Sequence, residues 1–101
     1  MQEVEQICFN IICNAGEARS LYVEAIKHAQ KGEFEEAKEK IKKGKDLLNS
    51  THKVHFEMVQ EEAKGNKVEV GLLLIHAEDM MMSAETLGII AESMLEDKND
   101  I

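Results

Sequence analysis

Apolar residues recur at helical spacing over residues 4–30. Val4, Ile7, Cys8, Ile11, Ile12, Ala15, Ala18, Tyr22, Ala25, Ile26 and Ala29 follow the i, i+3, i+4, i+7 rule of an amphipathic helix. Gly16 weakens that helix locally by about 1 kcal/mol relative to alanine. Lys31-Gly32 breaks the pattern and reads as a helix end. The stripe resumes with Phe34, Ala37, Ile41, Leu48, Val54, Met58 and Ala63, which predicts a second helix over 34–64. Its first half carries Glu36–Lys40 and Glu39–Lys43 at i, i+4 in the favourable order, the mark of a solvated face. Lys64-Gly65-Asn66 is the next break. The stretch VEVGLLLI could be a buried strand by period alone. Its apolar character runs on to Ile89, Ile90, Met94 and Leu95, too long for one strand, so the prediction is a helix over 69–96. Three helices of roughly 40 Å joined by short connections predict an all-α fold, an antiparallel three-helix bundle forming one domain over 1–101.

The third helix is apolar on too many sides for such a bundle. On a wheel of about 100° per residue, with Leu72 at zero, Glu78, Glu85, Glu92 and Glu96 cluster between about 200° and 240°. Most other positions are apolar or small, far more than the roughly 100° stripe of a surface helix. The expectation is burial against another subunit, in a homotrimer or other closed oligomer. His76 at about 40° and Asp79 at about 340° fall in the arc where burial is expected, while Glu78 belongs to the acidic stripe. A carboxylate in a core needs a cation, a metal or a proton.

Composition narrows the class. The chain has 101 residues, no proline, three Phe, one Tyr and no Trp. That suits helices better than a sandwich. The net charge of −8 disfavours nucleic acid and anionic membrane surfaces as partners. The acidic opening MQEVEQ is unlike a signal peptide, and the expectation is the cytoplasm. Cys8 and Cys13 point in different directions on a helix, which disfavours an internal disulfide and suggests buried, reduced thiols.

His76 and Asp79 stand at i, i+3. Spacing alone favours a core histidine hydrogen-bonded to an acid, or a polar layer that fixes oligomer register, over a reactive imidazole beside a cation-binding acid. His52 and His55 form a second such pair, and with His76 and Asp79 they offer a weak zinc-site pattern across two helices. Met80, Met81 and Met82 read as adaptable core filler rather than copper ligands. No nucleophile elbow, phosphate loop or dinucleotide fingerprint is present.

The motifs, taken in order, resemble one family. Phe9, Ala15-Gly16, Ala18-Arg19-Ser20, Glu24-Ala25 and Gly32-Glu33-Phe34 are followed by Thr51-His52-Lys53-Val54-His55-Phe56, Glu62-Ala63-Lys64-Gly65 and LLLIHAEDMMM over 72–82. This order is similar to the lactose/cellobiose-type enzyme IIA of the bacterial phosphoenolpyruvate-dependent sugar phosphotransferase system. The resemblance implies a cytoplasmic phosphocarrier built as a homotrimer of three-helix subunits, a nine-helix bundle. It implies that His76 accepts a phosphoryl group from phospho-HPr and passes it to a cysteine of a sugar-specific IIB protein. It also implies that three copies of Asp79 hold a metal ion, a hard cation such as Mg²⁺, near the threefold axis. No organic cofactor is implied, and the sugar is not legible because IIA does not touch it. Where the family pattern has glutamine, histidine and a Gln-Thr pair, this chain has Glu78, Met80 and His55-Phe56, so Glu78, Met80, His52 and His55 are candidate neighbours of the phosphate site. A second reading stays open, a non-phosphorylated binding or regulatory module of the same fold.

Overall fold

Three helices, α1 (Val4–Gln30), α2 (Phe34–Ala63) and α3 (Leu72–Asn99), make up the chain in the computed structural model, which describes residues 3–99. Met1 and Gln2, which contributed to the acidic opening, lie outside the described residues. The helices lie along one another in a rod of 51 × 20 × 17 Å. α1 and α3 run the same way and α2 runs opposite, as two short connections require. Among the described residues no helix is long and apolar enough to cross a membrane.

Both connections end a helix by the same device. Gly32 (φ 79) and Gly65 (φ 97) take the left-handed conformation that costs glycine nothing. Beyond them the Glu33 N–H donates to the His28 carbonyl at 2.9 Å, and the Asn66 N–H donates to the Glu61 carbonyl at 3.0 Å. These bonds satisfy carbonyls that the helix ends would leave open. α3 begins at Leu72, three residues later than the sequence pattern suggests, and continues to Asn99. Val68 is buried ahead of it while Val70 is exposed, so the two valines cap the α2–α3 turn rather than extend the helix.

The core follows the first stripe closely. Ile7, Cys8, Ile11, Ala15, Ala18, Tyr22, Ala25 and Ala29 are buried, with Val4, Ile12 and Ile26 packed against them. α2 contributes Ala37, Ile41, Gly44, Leu48, Thr51 and Met58. Thr51 is admitted because its hydroxyl donates to the Leu48 carbonyl at 2.7 Å. Ala63, expected inside, is exposed at the last turn of α2. Lys40 bonds Glu24 of α1 at 3.4 Å rather than Glu36, so part of the charged face ties two helices together. Cys8 is buried as expected, but Cys13 is exposed, and both are free thiols. Burial, then the negative charge of Glu78 and of Glu5, push the Cys8 thiol above its ordinary range. Iodoacetamide at neutral pH should therefore leave Cys8 unmodified in the native protein and alkylate it only after unfolding. Rapid native alkylation of Cys8 would contradict this packing.

The inner face of α3 carries mostly small side chains. Leu74, Ala77, Met81, Ala84 and Ala91 turn toward the chain's own core, and Gly88 lies buried with them. Five of its larger side chains stay outside: Leu72 is 83% exposed, Ile75 55%, Met82 57%, Ile89 67% and Ile90 47%. One subunit thus covers only one side of α3, as its wide apolar arc requires. The small side lets the helices approach closely around Tyr22. The Tyr22 ring lies between Gly44 of α2 and Gly88 of α3. A Cβ at Gly44 would sit 2.8 Å from Tyr22 Cε1, and one at Gly88 would sit 2.8 Å from Cζ.

Candidate functional site

Three of the four histidines are held by carboxylates. His28 Nδ1 lies 2.8 Å from Glu33 Oε1, across the α1–α2 turn. His52 Nε2 lies 2.8 Å from Glu85 Oε1, and His55 Nε2 lies 2.7 Å from Glu78 Oε2. Lys45 adds a third α2–α3 contact, 2.8 Å from Glu92. Glu78, Glu85 and Glu92 recur every seven residues. The acidic stripe is therefore the seam to α2 and not the solvated face its wheel position suggests. Each of these half-exposed pairs contributes about 0.2–1 kcal/mol. Their larger effect is positional, since they fix how α2 lies along α3.

His76 is the exception. It is exposed and, among the described residues, has no hydrogen bond or ion pair. Asp79 lies one turn further on the same side, also exposed and also without an ion pair among the described residues. Neither is inside its own subunit. The part of the apolar arc that holds them is the part the chain leaves outward. Leu72, Ile75 and Met82 flank the two residues, so they are a polar island in an uncovered apolar face.

The four-residue zinc pattern is not assembled. Among the described residues no group of three or more His, Cys, Asp and Glu side chains could hold a metal ion. His52 and His55 face the α2–α3 seam and are occupied by glutamates, while His76 points away from it. Glu78 follows His76 by two residues and so lies about 160° round α3 from it. Its carboxylate is directed to His55, not to the His76 ring. Of the four proposed neighbours, Met80 alone shares the His76 row on α3. Its terminal methyl lies against Gly16 of α1, 3.5 Å from where a Cβ would stand.

That contact brings together residues that the sequence marks as family motif but to which it gives no role at the site. Gly16, Arg19, Ser20, Val23 and Met80 line a groove of about 360 Å³ between α1 and α3. Arg19 is the one arginine of the chain. Among the described residues it has no carboxylate partner, and the Ser20 hydroxyl has no hydrogen bond. The available signal was compositional: a single guanidinium in a chain with 20 acidic residues is an outlier.

The model of the family described as the lactose/cellobiose-specific IIA subunit of the phosphotransferase system matches residues 6–97. The lichenan-specific phosphotransferase enzyme IIA component of Bacillus subtilis is 40% identical over 95 residues, covering 94% of this chain and 86% of that protein. The cellobiose-specific enzyme IIA of Bacillus anthracis superposes with a TM-score of 0.89 at 38% identity, covering 99% of this chain and 93% of that one. The chitobiose IIA in its complex with HPr from Escherichia coli gives a TM-score of 0.80 at 29% identity, with both chains fully covered.

Proposed function

The chain belongs to the lactose/cellobiose-specific IIA family of the phosphotransferase system, and from that premise we propose that it is a cytoplasmic phosphocarrier that takes a phosphoryl group on His76 from phospho-HPr. One observation carries the assignment: His76 is the histidine whose ring no carboxylate occupies among the described residues. A neutral imidazole nitrogen with a free lone pair is what phosphorus needs as acceptor. The nitrogen–phosphorus bond at His76 forms as the bond from phosphorus to its carrier atom in phospho-HPr breaks. That atom keeps the electron pair. In the second transfer a IIB cysteine thiolate attacks, and the His76 imidazole leaves. The likeness to an IIA bound to HPr supports HPr as the phosphoryl donor.

The working form is a homotrimer in which the outward faces of α3 meet. Leu72, Ile75, Met82, Ile89 and Ile90 supply the apolar surface that such an assembly buries. Asp79 fits a metal at that axis, since a carboxylate with no cation of its own sits amid apolar side chains. Three copies would hold a divalent cation such as Mg²⁺, which neutralises the charge the assembly would otherwise enclose. Asp79→Ala should weaken the trimer, while Asp79→Leu should raise its melting temperature by replacing buried charge with apolar volume. Sedimentation and thermal melting check both. Unchanged mass and melting in the two variants would exclude an axial Asp79.

Incubation with phosphoenolpyruvate, enzyme I and HPr should add one phosphoryl group per chain by intact mass. No addition under conditions that label a control IIA would overturn the proposal and favour the non-phosphorylated module.

A further inference from the structure

We infer that Arg19, with the Ser20 hydroxyl beside it, binds the phosphoryl group carried by His76. This rests on the phosphocarrier reading and goes beyond it, because the residues around His76 on α3 do not supply a receptor for the anion. Leu72, Leu73 and Met80 have no donor, and Asp79 is an acid. Backbone N–H groups in mid-helix are already engaged. The donors must come from elsewhere, and the adjoining wall of α1 presents them.

The geometry is set by Gly16. Without a side chain there, Met80 seats against α1, and the two helices form one groove. His76 lies one turn before Met80 on the same row of α3, and Arg19 lies one turn beyond Gly16. The two Cα positions are separated along the bundle by seven residues, about 10 Å at 1.5 Å per residue. α1 and α3 run the same way. Side chains on both helices lean toward the N-terminus, so the lean moves Arg19 and His76 alike, and it is the longer Arg19 side chain that reaches back along the bundle toward the imidazole. The phosphoryl group extends outward from the imidazole and shortens the gap further. Met80 supplies the α3 side of that groove, between the levels of His76 and Arg19 along the bundle.

Carboxylates outnumber cations in this chain, with 20 Asp and Glu against 12 Lys and Arg, yet the guanidinium is left without one among the described residues. Lysines at 38, 40, 45 and 64 have glutamate partners, while those at 27, 31, 42, 43, 53 and 67 have none among the described residues, so Arg19 is set apart by its place in the groove and its guanidinium rather than by being unpaired. A planar guanidinium kept free in a groove beside a free hydroxyl suits a phosphoryl dianion, which it can bind through two parallel N–H bonds.

The test is the equilibrium constant for phosphoryl exchange between phospho-HPr and this protein. It depends on the stability of the phosphorylated form and not on how well the two proteins dock. Arg19→Gln should shift that constant toward phospho-HPr by at least about tenfold, as expected for losing a hydrogen bond to a charged group. Arg19→Lys should restore part of it, and the melting temperature of the unphosphorylated protein should not move. An Arg19→Gln protein that exchanges within about twofold of a phosphorylated wild type would overturn this inference alone. A wild type that takes no phosphoryl group would overturn the phosphocarrier reading as well.

Discussion

Gly88→Ala destabilises the protein by about 2–3 kcal/mol, the cost of forcing an extra methyl into a packed site. On an open helix face the same change would stabilise by about 1 kcal/mol, because alanine loses less freedom on folding. The sign reverses here because of Tyr22. The new Cβ would lie 2.8 Å from the ring Cζ, 2.9 Å from Cε2 and 3.1 Å from the hydroxyl oxygen. A ring pressed from one side could slide away. This one is held from the other side by the Gly44 backbone, whose Cβ position is 2.8 Å from Cε1. Thermal melting at fixed chain concentration should show a drop of roughly 10 °C or more. In a Tyr22→Leu background the ring is gone, and Gly88→Ala should become neutral or stabilising. That change of sign is the diagnostic, since two residues in contact couple in a double-mutant cycle. Stabilisation by Gly88→Ala in both backgrounds would show that the ring is not confined.

The slot also marks a limit of pattern reading. Apolar spacing places Tyr22 in the core and gives the three helices to within a few residues. It gives no reason for Gly44 or Gly88, because a glycine chosen for the room it leaves has no hydrophobic signature. The same blindness applies to the Glu78–Glu85–Glu92 row. A row of acids on one face looks solvated until the histidines and lysine that meet it are known, and they lie on another helix. His76 and Asp79 were legible as an anomaly, polar groups inside an apolar arc. What the arc could not tell was which side is covered by the chain itself. Its small residues, Ala77, Ala84 and Ala91, face inward beside Leu74 and Met81, while Leu72, Ile75, Met82, Ile89 and Ile90 face out. A wheel weighted by hydrophobicity alone points to the wrong side.

His76→Ala should abolish phosphorylation, and alanine at none of the other three histidines should do so. The chemistry of the four histidines separates them. A ring that donates to a carboxylate at 2.7–2.8 Å, as at His28, His52 and His55, has negative charge against it where an incoming phosphoryl dianion is repelled. His76 has no such neighbour among the described residues and is exposed, one turn before the Met80 that lines the groove holding Arg19. The effect of removing it is all-or-none, since no second nucleophile stands in its place. Removing His52 or His55 instead should cost about 1 kcal/mol of stability through the lost seam contact and leave the acceptor intact.

The most direct measurement is acid-labile, alkali-stable phosphate on the wild type and on His28→Ala, His52→Ala, His55→Ala and His76→Ala after exposure to phosphoenolpyruvate, enzyme I and HPr, each checked for native helicity. The account predicts one phosphoryl group per chain in the wild type and the first three variants, and none in His76→Ala. Label persisting in a folded His76→Ala protein, or vanishing in a folded His55→Ala protein, would contradict it.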